Sequence, residues 1–238
     1  YNDQFLFHPE DVDLKNISNV FTNFRKYCEK KLKVRECFVL KTKMDETNMI
    51  DIDYNIPSLK DLGLNEINKD DRTAFPFKGG YNTGIERINY YLWESKKLSF
   101  YKKTRNGLIG KDYSSKLSSW LANGSLSPRI IYQSIKDYEF KIEKNQSTYW
   151  MIFELIWRDF FKYISRLNGN KIFKIGGILE KNYHWIQDKR IFENWINGKT
   201  PEPFVNANML ELKNTGWMSN RGRQNVASYL AKEKKIDW

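Results

Sequence analysis

Cysteine and histidine are scarce in this sequence, which contains two of each among 238 residues. The two cysteines, Cys28 and Cys37, cannot build a disulfide framework, and they favour a reducing compartment inside the cell. His8 and His184 complete no zinc-type ligand spacing, and neither lies in a motif for a Ser-His-Asp or Cys-His nucleophile. We therefore expect neither a metal site nor a hydrolase of these classes. The sequence does not distinguish an organellar from a nuclear location.

Long apolar runs and glycine-rich nucleotide motifs are also missing. No apolar run approaches the roughly twenty residues of a membrane span, so we expect no membrane insertion. The glycines at 79–84 are not followed by the Lys-Ser/Thr pair of a Walker phosphate loop, and no G-x-G-x-x-G follows a strand. Sustained period-two alternation, internal repeats and coiled-coil heptads are absent as well. The fold class predicted from these patterns is all-α.

The charge of the chain is strongly one-sided. Lys and Arg outnumber Asp and Glu by 40 to 29, which gives a net charge of +11, and 16% of the residues are aromatic. This combination favours an anionic partner, and nucleic acid before membrane. The alternative is a lysine-rich protein without such a partner, because many lysines lie in dispersed runs such as Lys30-Lys31.

Residues 147–163, STYWMIFELIWRDFFKY, predict the central helix of the chain, with Ser147 or Thr148 as its N-cap. At 3.6 residues per turn, one face of this helix carries Trp150, Glu154, Trp157 and Phe161. An aromatic stripe at helical spacing is typical of a buried core. Periodicity alone therefore favours a core face over a ligand pocket.

Glu154 and Arg158 are unusual among these aromatic residues. At a spacing of four residues they are expected to form an ion pair, which contributes about 0.3–0.5 kcal/mol on a helix surface. Charges are expensive to bury without partners. A helix that keeps both charges among its aromatic residues could line a pocket for a flat ligand with polar edges.

Two regions are predicted along the chain. Residues 1–74 form a partly helical interdomain connector, with a helix over 20–34 and a loose polar linker over 41–71 that contains one helical turn at 58–62. Residues 75–238 form a helical domain. We also expect the chain to be a piece of a longer protein, because it begins with tyrosine rather than methionine.

Within the helical domain, a hydroxyl-rich segment precedes a predicted helix. Ser114, Ser115, Lys116 and Ser118 cluster at its expected start. Hydroxyls, backbone N–H groups and a cation at such a position form an anion site, particularly for phosphate, whereas the alternative is that the serines only cap the helix. Further helices are predicted at 83–94, 128–138 and 206–213, with a proline-containing turn at 200–205. The last element, 215–232, is expected to have its helix start at 220–224.

Four long motifs give the chain a resemblance to a known family. They are FPFKGG at 75–80, TRNGLIGKDYSSKLSSWLANGSLSPR at 104–129, STYWMIFELIWRDFF at 147–161 and TGWMSNRGRQNVASYLAK at 215–232. On these motifs the chain resembles the photolyase/cryptochrome flavoproteins and, within them, the DASH-type cryptochromes. The resemblance is strong from 75 to 238 and looser before that.

This resemblance implies a helical domain that binds FAD, preceded in whole proteins by an α/β domain that is absent here. A folate antenna is expected in the full-length protein but is not held by this chain alone. Blue light would excite the reduced flavin, which would pass an electron to a cyclobutane pyrimidine dimer in single-stranded or looped DNA. The implied partner is DNA rather than a membrane, and we expect a monomer. The alternatives are a blue-light receptor without repair activity or, for this partial chain, a basic DNA-binding module without a cofactor.

The resemblance also implies roles for individual residues. The FAD contacts are Tyr101, Ser114, Ser115, Lys116, Leu117, Ser118, Arg158 and Arg223. Three catalytic residues are expected at the lesion: Glu154 hydrogen-bonds the flipped pyrimidines, Trp157 packs against the lesion, and Asn220 lies at the boundary between flavin and substrate. Trp185 and Trp238 are expected to belong to a tryptophan electron-transfer chain. The nucleic-acid contacts are Arg105, Arg221 and Gln224.

Several positions depart from the pattern of the family. The Asp that normally pairs with Arg223, and the innermost tryptophan, are expected downstream of Trp238. Glu202 stands where a Gly is expected, and in a turn that needs positive φ this change would cost about 1 kcal/mol or more. Asn206 stands for an expected Asp and Leu210 for an expected Arg.

Overall fold

The computed structural model describes residues 4–37, 47, 50, 55–65 and 70–237. Within these residues the chain forms helices and turns and no strand, so the predicted all-α class is confirmed. The α-helices are α1 (Phe21–Lys31), α2 (Tyr81–Ile88), α3 (Tyr101–Thr104), α4 (Ser118–Asn123), α5 (Pro128–Lys141), α6 (Gln146–Asn168), α7 (Lys189–Ile196), α8 (Pro203–Thr215) and α9 (Asn220–Ser228). Short 3-10 turns lie at Leu14–Asn16, Lys97–Phe100 and Gly169–Phe173, and π-helical turns follow α2 and α9 at Asn89–Glu94 and Tyr229–Glu233.

The 23-residue helix α6 packs against α1, α3 and α5 and is the centre of the fold. Its predicted N-cap was wrong, because the cap is Asn145. The Asn145 side-chain oxygen accepts from the backbone N–H groups of Ser147 and Thr148 at 2.7 and 3.1 Å. The Thr148 hydroxyl accepts in return from the Asn145 backbone N–H at 3.2 Å. This reciprocal arrangement is a capping box and satisfies N–H groups that lack partners inside the helix.

The N-terminal residues of the predicted connector pack into the main core together with α6. Leu6, Phe24 and Cys28 are fully or almost fully buried in one cluster with Trp120 and Tyr163. Since this core joins residues on both sides of position 75, the boundary between connector and domain stays a prediction.

Residues 4–7 are held on α6 through their backbone groups. The buried Asp159 carboxylate accepts from the N–H groups of Leu6 and Phe7 at 3.1 and 2.9 Å. The Tyr163 hydroxyl donates to the Phe7 carbonyl at 2.7 Å. The backbone groups of this irregular segment would be costly to bury without such partners.

A second, smaller core joins α7, α8 and α9 through Val205, Met209, Val226 and Tyr229, with Trp195 packed on it. The helix predicted at 206–213 extends over Pro203–Thr215, with Pro203 in the first turn, where its missing N–H costs nothing. The expected strain at Glu202 was wrong, because this residue has an extended backbone with φ of −97°.

The Asn206 side chain forms three hydrogen bonds to Thr200 in the turn before α8. Its amide oxygen accepts from the backbone N–H and the hydroxyl of Thr200 at 2.8 and 2.7 Å, and its amide nitrogen donates to the Thr200 carbonyl at 2.7 Å. An aspartate could make the first two bonds but not the third, because a carboxylate has no hydrogen to donate. Asn206 therefore suits this turn.

The bounds of three other predicted helical segments can be compared with the structure. The helix predicted at 83–94 is α2 followed by a π-helical turn, and the one at 20–34 is the shorter α1. Residues 58–62 form one turn, closed by the bond from the Leu62 N–H to the Ser58 carbonyl at 3.3 Å, which has the i to i+4 spacing of a helical turn. Much of the predicted linker at 41–71 lies outside the described residues. None of the helices in the described residues has the length and hydrophobicity of a membrane span.

Candidate functional site

A cavity of about 810 Å³ opens beside α6 and is closed by α4, the loop before it, and the segment from the end of α8 to the start of α9. Twelve of the predicted site residues line it: Tyr101, Arg105, Ser114, Ser115, Lys116, Leu117, Ser118, Glu154, Trp157, Arg158, Asn220 and Arg223. Residues predicted from three separate motifs, together with Tyr101, thus share one cavity.

The remaining predicted site residues do not line this cavity. Arg221 is exposed and donates to the side-chain oxygens of Gln224 and Asn106, both at 3.1 Å. Trp185 is half-buried beside Tyr183, with ring centroids 5.5 Å apart. Trp238 lies outside the described residues. The roles predicted for these residues stay predictions.

The hydroxyl-rich loop is shaped by a buried arginine of α2. The guanidinium of Arg87 is only 3% exposed and donates to the carbonyls of Lys111, Ser114 and Ser115 at 2.9–3.2 Å. It also pairs with Asp112 at 2.8 Å. Burial disfavours ionisation of Asp112, but its hydrogen bonds to Arg87 and Tyr90 outweigh this effect and hold its pKa below the ordinary value. The helix predicted here begins at Ser118, later than the sequence suggests.

Lys116 takes an unusual position at the end of this loop. Its φ of 63° places the backbone in the left-handed region, which is uncommon for a residue with a side chain. The residue is 3% exposed, and its ammonium lies 3.3 Å from the ring centroid of Tyr113 and 4.8 Å from that of Trp217. Among the described residues, the Lys116 Nζ has no hydrogen-bond partner. Burial lowers the pKa of Lys116 to about 7, although the nearby Glu211 acts against this shift.

The charged residues of α6 have different partners from those predicted. Glu154 pairs with Arg105, Oε1 to NH1 at 3.0 Å. The predicted pair of Glu154 with Arg158 was therefore wrong. Arg158 instead donates to the backbone carbonyls of Gln4 and Leu121 at 2.5 and 2.8 Å, because its side chain extends toward residues 4–7 and the end of α4. Burial raises the pKa of Glu154, and the adjacent Arg105 partly opposes that shift.

Trp157 is fixed on the cavity wall by aromatic neighbours. Its ring stacks on Phe21 of α1, with centroids 3.4 Å apart and planes 7° from parallel, and lies 5.4 Å from the exposed ring of Phe161. Sequence reasoning placed Phe21 in a helix but did not connect it with the site. No signal in the sequence links these two positions, which are 136 residues apart.

Two further aromatic residues of the cavity were also missed. Phe75 and Trp217 line it and stack on each other, with centroids 4.7 Å apart and planes 9° from parallel. Both lie inside the motifs FPFKGG and TGWMSNRGRQNVASYLAK, so the signal for them was present.

The cavity has the chemistry that a flavin dinucleotide requires. Arg223 donates to the Met218 carbonyl at 3.2 Å and forms no ion pair with the residues described, so its charge is free to meet an anion. Hydroxyls and Lys116 lie at one part of the wall, and apolar side chains such as Leu117, Leu121 and Met151 line other parts. Phosphate groups and flat rings can both be accommodated by such a wall. Across the described ranges there is no cluster of His, Cys, Asp and Glu that could hold a metal ion.

Comparison with known proteins agrees with this chemistry. The family described as the FAD binding domain of DNA photolyase matches residues 150–238. Over 236 residues the chain is 47% identical to the cryptochrome DASH of Synechocystis sp. and 46% identical to that of Xenopus laevis. These matches cover 98% of this chain but 48% and 45% of those proteins, so the chain spans about half the length of the curated relatives it matches.

Solved structures give the same result for the fold. The crystal structure of the Synechocystis sp. cryptochrome superposes with a TM-score of 0.93 at 47% identity, over 99% of this chain and 49% of that one. A bacterial class III photolyase from Agrobacterium tumefaciens superposes with a TM-score of 0.76 at 23% identity, over 99% of this chain and 48% of that one. At that identity the second match shows a shared fold alone.

Proposed function

Because this chain belongs to the photolyase/cryptochrome family and resembles its DASH cryptochromes, we propose that it is the FAD-binding part of a blue-light-dependent photolyase. Its substrate is the cyclobutane pyrimidine dimer in single-stranded or looped DNA. The observation that supports this proposal is the shared cavity, whose wall combines the expected FAD contacts with the expected lesion contacts Glu154, Trp157 and Asn220.

The FAD end of the cavity is assigned to the loop before α4 and to two arginines. Ser114, Ser115 and Ser118 offer hydroxyls, and Lys116 offers a buried cation, where the phosphates would lie. Arg223 is assigned to the flavin ring, and Arg158 keeps the neighbouring backbone in place through its two carbonyl bonds. When bound, FAD would supply light absorption and one-electron transfer, while the protein binds it, orients it and excludes water.

The lesion end is assigned to α6. Trp157 presents an aromatic ring already held by Phe21, which suits stacking with bases extruded from a strand. Glu154 is partly buried with its pKa raised by that burial, so its carboxyl can hydrogen-bond the polar edge of a pyrimidine pair. Asn220, at the start of α9, adds an amide to the same wall.

The DNA backbone is assigned to the basic residues at and around the cavity. Arg105 lines the cavity, whereas Arg221 and Gln224 lie outside it on the exposed side of α9. Such positions suit phosphates on either side of an extruded lesion, and the net charge of +11 supports the approach of DNA. Arg105 is paired with Glu154 through one nitrogen, NH1 to Oε1 at 3.0 Å, and its guanidinium has further N–H donors for a phosphate.

Repair of irradiated single-stranded DNA tests this proposal. The chain is loaded with FAD, reduced without oxygen and illuminated with blue light together with ultraviolet-irradiated oligothymidylate, and the return of thymine absorbance is followed. We expect repair, with a much lower rate on fully paired duplex. Glu154→Gln is expected to lose about tenfold or more in rate, equivalent to about 1.4 kcal/mol, while the exposed Glu193→Gln serves as the matched control.

Absence of repair with the flavin retained would overturn the photolyase proposal and favour the blue-light receptor. Binding of DNA without any retained flavin would favour the basic DNA-binding module. Equal repair by wild type and Glu154→Gln would remove Glu154 from the lesion site while leaving the activity in place.

A further inference from the structure

Lys116 is a buried amine on the wall of the cavity with no polar partner among the described residues. Only 3% of the residue is exposed, so water does not replace the missing hydrogen bonds. A buried lysine is normally paired, because leaving a charge without a partner in a low dielectric costs a large fraction of the stability of a domain. An unpaired one on a cavity wall indicates that its partner belongs to a ligand.

The aromatic contacts of Lys116 keep the amine in place without satisfying its charge. The ring of Tyr113 lies 3.3 Å from the Nζ and that of Trp217 lies 4.8 Å away. Aromatic faces attract a cation, but more weakly than water or a carboxylate does. Trp217 also donates its indole N–H to the Tyr113 hydroxyl at 3.5 Å, which ties the two rings together.

The charged groups around Lys116 come from three parts of the fold. Glu211 of α8 favours the ammonium form, Arg87 of α2 disfavours it, and Asp112 of the loop before α4 favours it weakly. Tyr113 is the other titratable neighbour, and burial raises its pKa above the ordinary value. Burial outweighs the attraction of Glu211, so the pKa of Lys116 is lowered to about 7, and before an anion enters the cavity the charged and neutral forms of this amine coexist near neutral pH.

We propose that Lys116 takes up a proton when a ligand bearing phosphate or pyrophosphate enters the cavity, so that pH controls how tightly this site holds that ligand. This inference rests on the proposed function, in which FAD is the pyrophosphate-bearing ligand. An anion a few ångströms from the amine favours its charged form, whether through direct contact or through the field in a low-dielectric cavity.

The coupling between protonation of Lys116 and ligand binding has a size that can be calculated. Only the charged amine meets the phosphate favourably, and the charged fraction of a group with a pKa of about 7 falls about tenfold between pH 6 and pH 8. The dissociation constant for FAD is therefore expected to rise about tenfold over this range. Binding at pH 8 is expected to take up close to one proton per chain.

Titration calorimetry of the chain in buffers of different ionisation enthalpy measures this proton directly. The probes are FAD, inorganic pyrophosphate, which carries only the charged part, and riboflavin, which carries the ring without a phosphate. We expect proton uptake with FAD, whose pyrophosphate diester stays fully ionised over this pH range, and none with riboflavin. Inorganic pyrophosphate itself exchanges protons near neutral pH, so its uptake is taken as the difference between wild type and Lys116→Met. Equal heats in all buffers for FAD, with an affinity that does not change between pH 6 and pH 8, would overturn the inference.

Three variants separate the role of Lys116 from general effects on folding. Lys116→Met keeps an unbranched side chain between the rings and is expected to abolish both proton uptake and pH dependence. Glu211→Gln removes the group that favours the charged amine, so the fall in affinity is expected at lower pH. Lys111→Met removes an exposed lysine from the same loop and is expected to leave the coupling unchanged. Proton uptake that persists in Lys116→Met, with helicity intact, would assign the proton to another group and overturn the inference.

The same experiment separates this inference from the proposed function. Tight FAD binding without proton uptake would leave the flavin site in place and reject the role of Lys116. Proton-coupled pyrophosphate binding without FAD binding would support Lys116 as the anion receptor and contradict FAD as the cofactor. Failure of both ligands to bind would contradict both.

Discussion

Glu154 and Arg105 contact each other on the cavity wall, although the sequence assigned one to the lesion and the other to DNA phosphate. The pair is 3.0 Å apart, with 30% and 20% of the two side chains exposed. Burial of Glu154 favours its protonated form, and Arg105 is the main group that opposes this, ahead of Trp150. The charge state of Glu154 therefore depends on where Arg105 lies.

Arg105→Ala is expected to raise the pKa of Glu154 further, because the attraction that favours the carboxylate is lost while the burial remains. The measurement is a pH titration of the carboxyl band of Glu154 by infrared difference spectroscopy, with Glu154→Gln to assign the band. Arg221→Ala is the matched control, since the guanidinium of Arg221 bonds only to amide oxygens. An unchanged pKa in Arg105→Ala would show that the pair has no influence on Glu154.

Asp159 is the buried carboxyl that holds residues 4–7. Burial raises its pKa to about 6 despite the two N–H groups of Leu6 and Phe7 that favour the charged form. The ordinary value for Asp is about 4, so folding takes up a proton between these pH values. The contribution of Asp159 to stability is therefore present below about pH 4 and is lost as the pH rises through about 6.

The free energy of unfolding is expected to fall by up to about 3 kcal/mol between pH 4 and pH 7 because of this group. Asp159→Asn should flatten that dependence by about one proton. It should also lower stability by about 1–3 kcal/mol, because an amide has one acceptor oxygen for two N–H groups. Urea unfolding followed by circular dichroism measures both effects, with the exposed Asp71→Asn as control. A pH profile in Asp159→Asn identical to that of wild type would assign the dependence to other carboxyls.

At the scale of one element, α6 is the helix on which the core and the cavity both depend. Its aromatic and aliphatic periodicity predicted the helix correctly, and its wall residues Glu154 and Trp157 line the cavity. The cap could not be predicted with the same certainty, because Asn145, Ser147 and Thr148 are all favourable cap residues. Contacts from other segments decide between them: the Ser147 hydroxyl accepts from the Lys102 N–H at 3.2 Å, and the Thr148 hydroxyl donates to Glu139 at 2.8 Å.

Asn145→Ala is expected to lower the free energy of unfolding by about 1 kcal/mol, within a range of about 0.5–2 kcal/mol. The reason is that the side-chain acceptor for the N–H groups of Ser147 and Thr148 is lost. Urea unfolding measures the change, and the exposed neighbour Lys144→Ala provides the control. Equal stability of the two variants would mean that the cap does not contribute.

At the scale of the whole molecule, the set of residues that lie together is predicted from the sequence more reliably than the contacts that those residues make. The all-α class agrees with the structure, and twelve of the predicted site residues lie together on the wall of one cavity, because ordered motifs identify helix faces and loop chemistry. The packing of residues 4–7 on α6 was not foreseen, since its hydrogen bonds join positions more than 150 residues apart. The stacking of Phe21 on Trp157 was missed for the same reason.

The charge of the whole molecule can likewise be predicted from the sequence only in part. The excess of Lys and Arg predicts an anionic partner, and the cavity holds two cations, Lys116 and Arg223, that form no ion pair among the described residues. The burial of Lys116 and the lack of an ion-pair partner for either cation depend on tertiary structure and could not be read from composition.

Retention of FAD by the purified chain tests the central claim most directly. The chain is mixed with FAD, free cofactor is removed by gel filtration, and the visible absorption of the protein fraction is recorded together with its helical circular dichroism. The account predicts a stoichiometric amount of flavin with structured absorption bands. A helical, folded chain that elutes without flavin would contradict the account, because the cavity would then lack the affinity that its hydroxyls, Lys116 and Arg223 are proposed to supply.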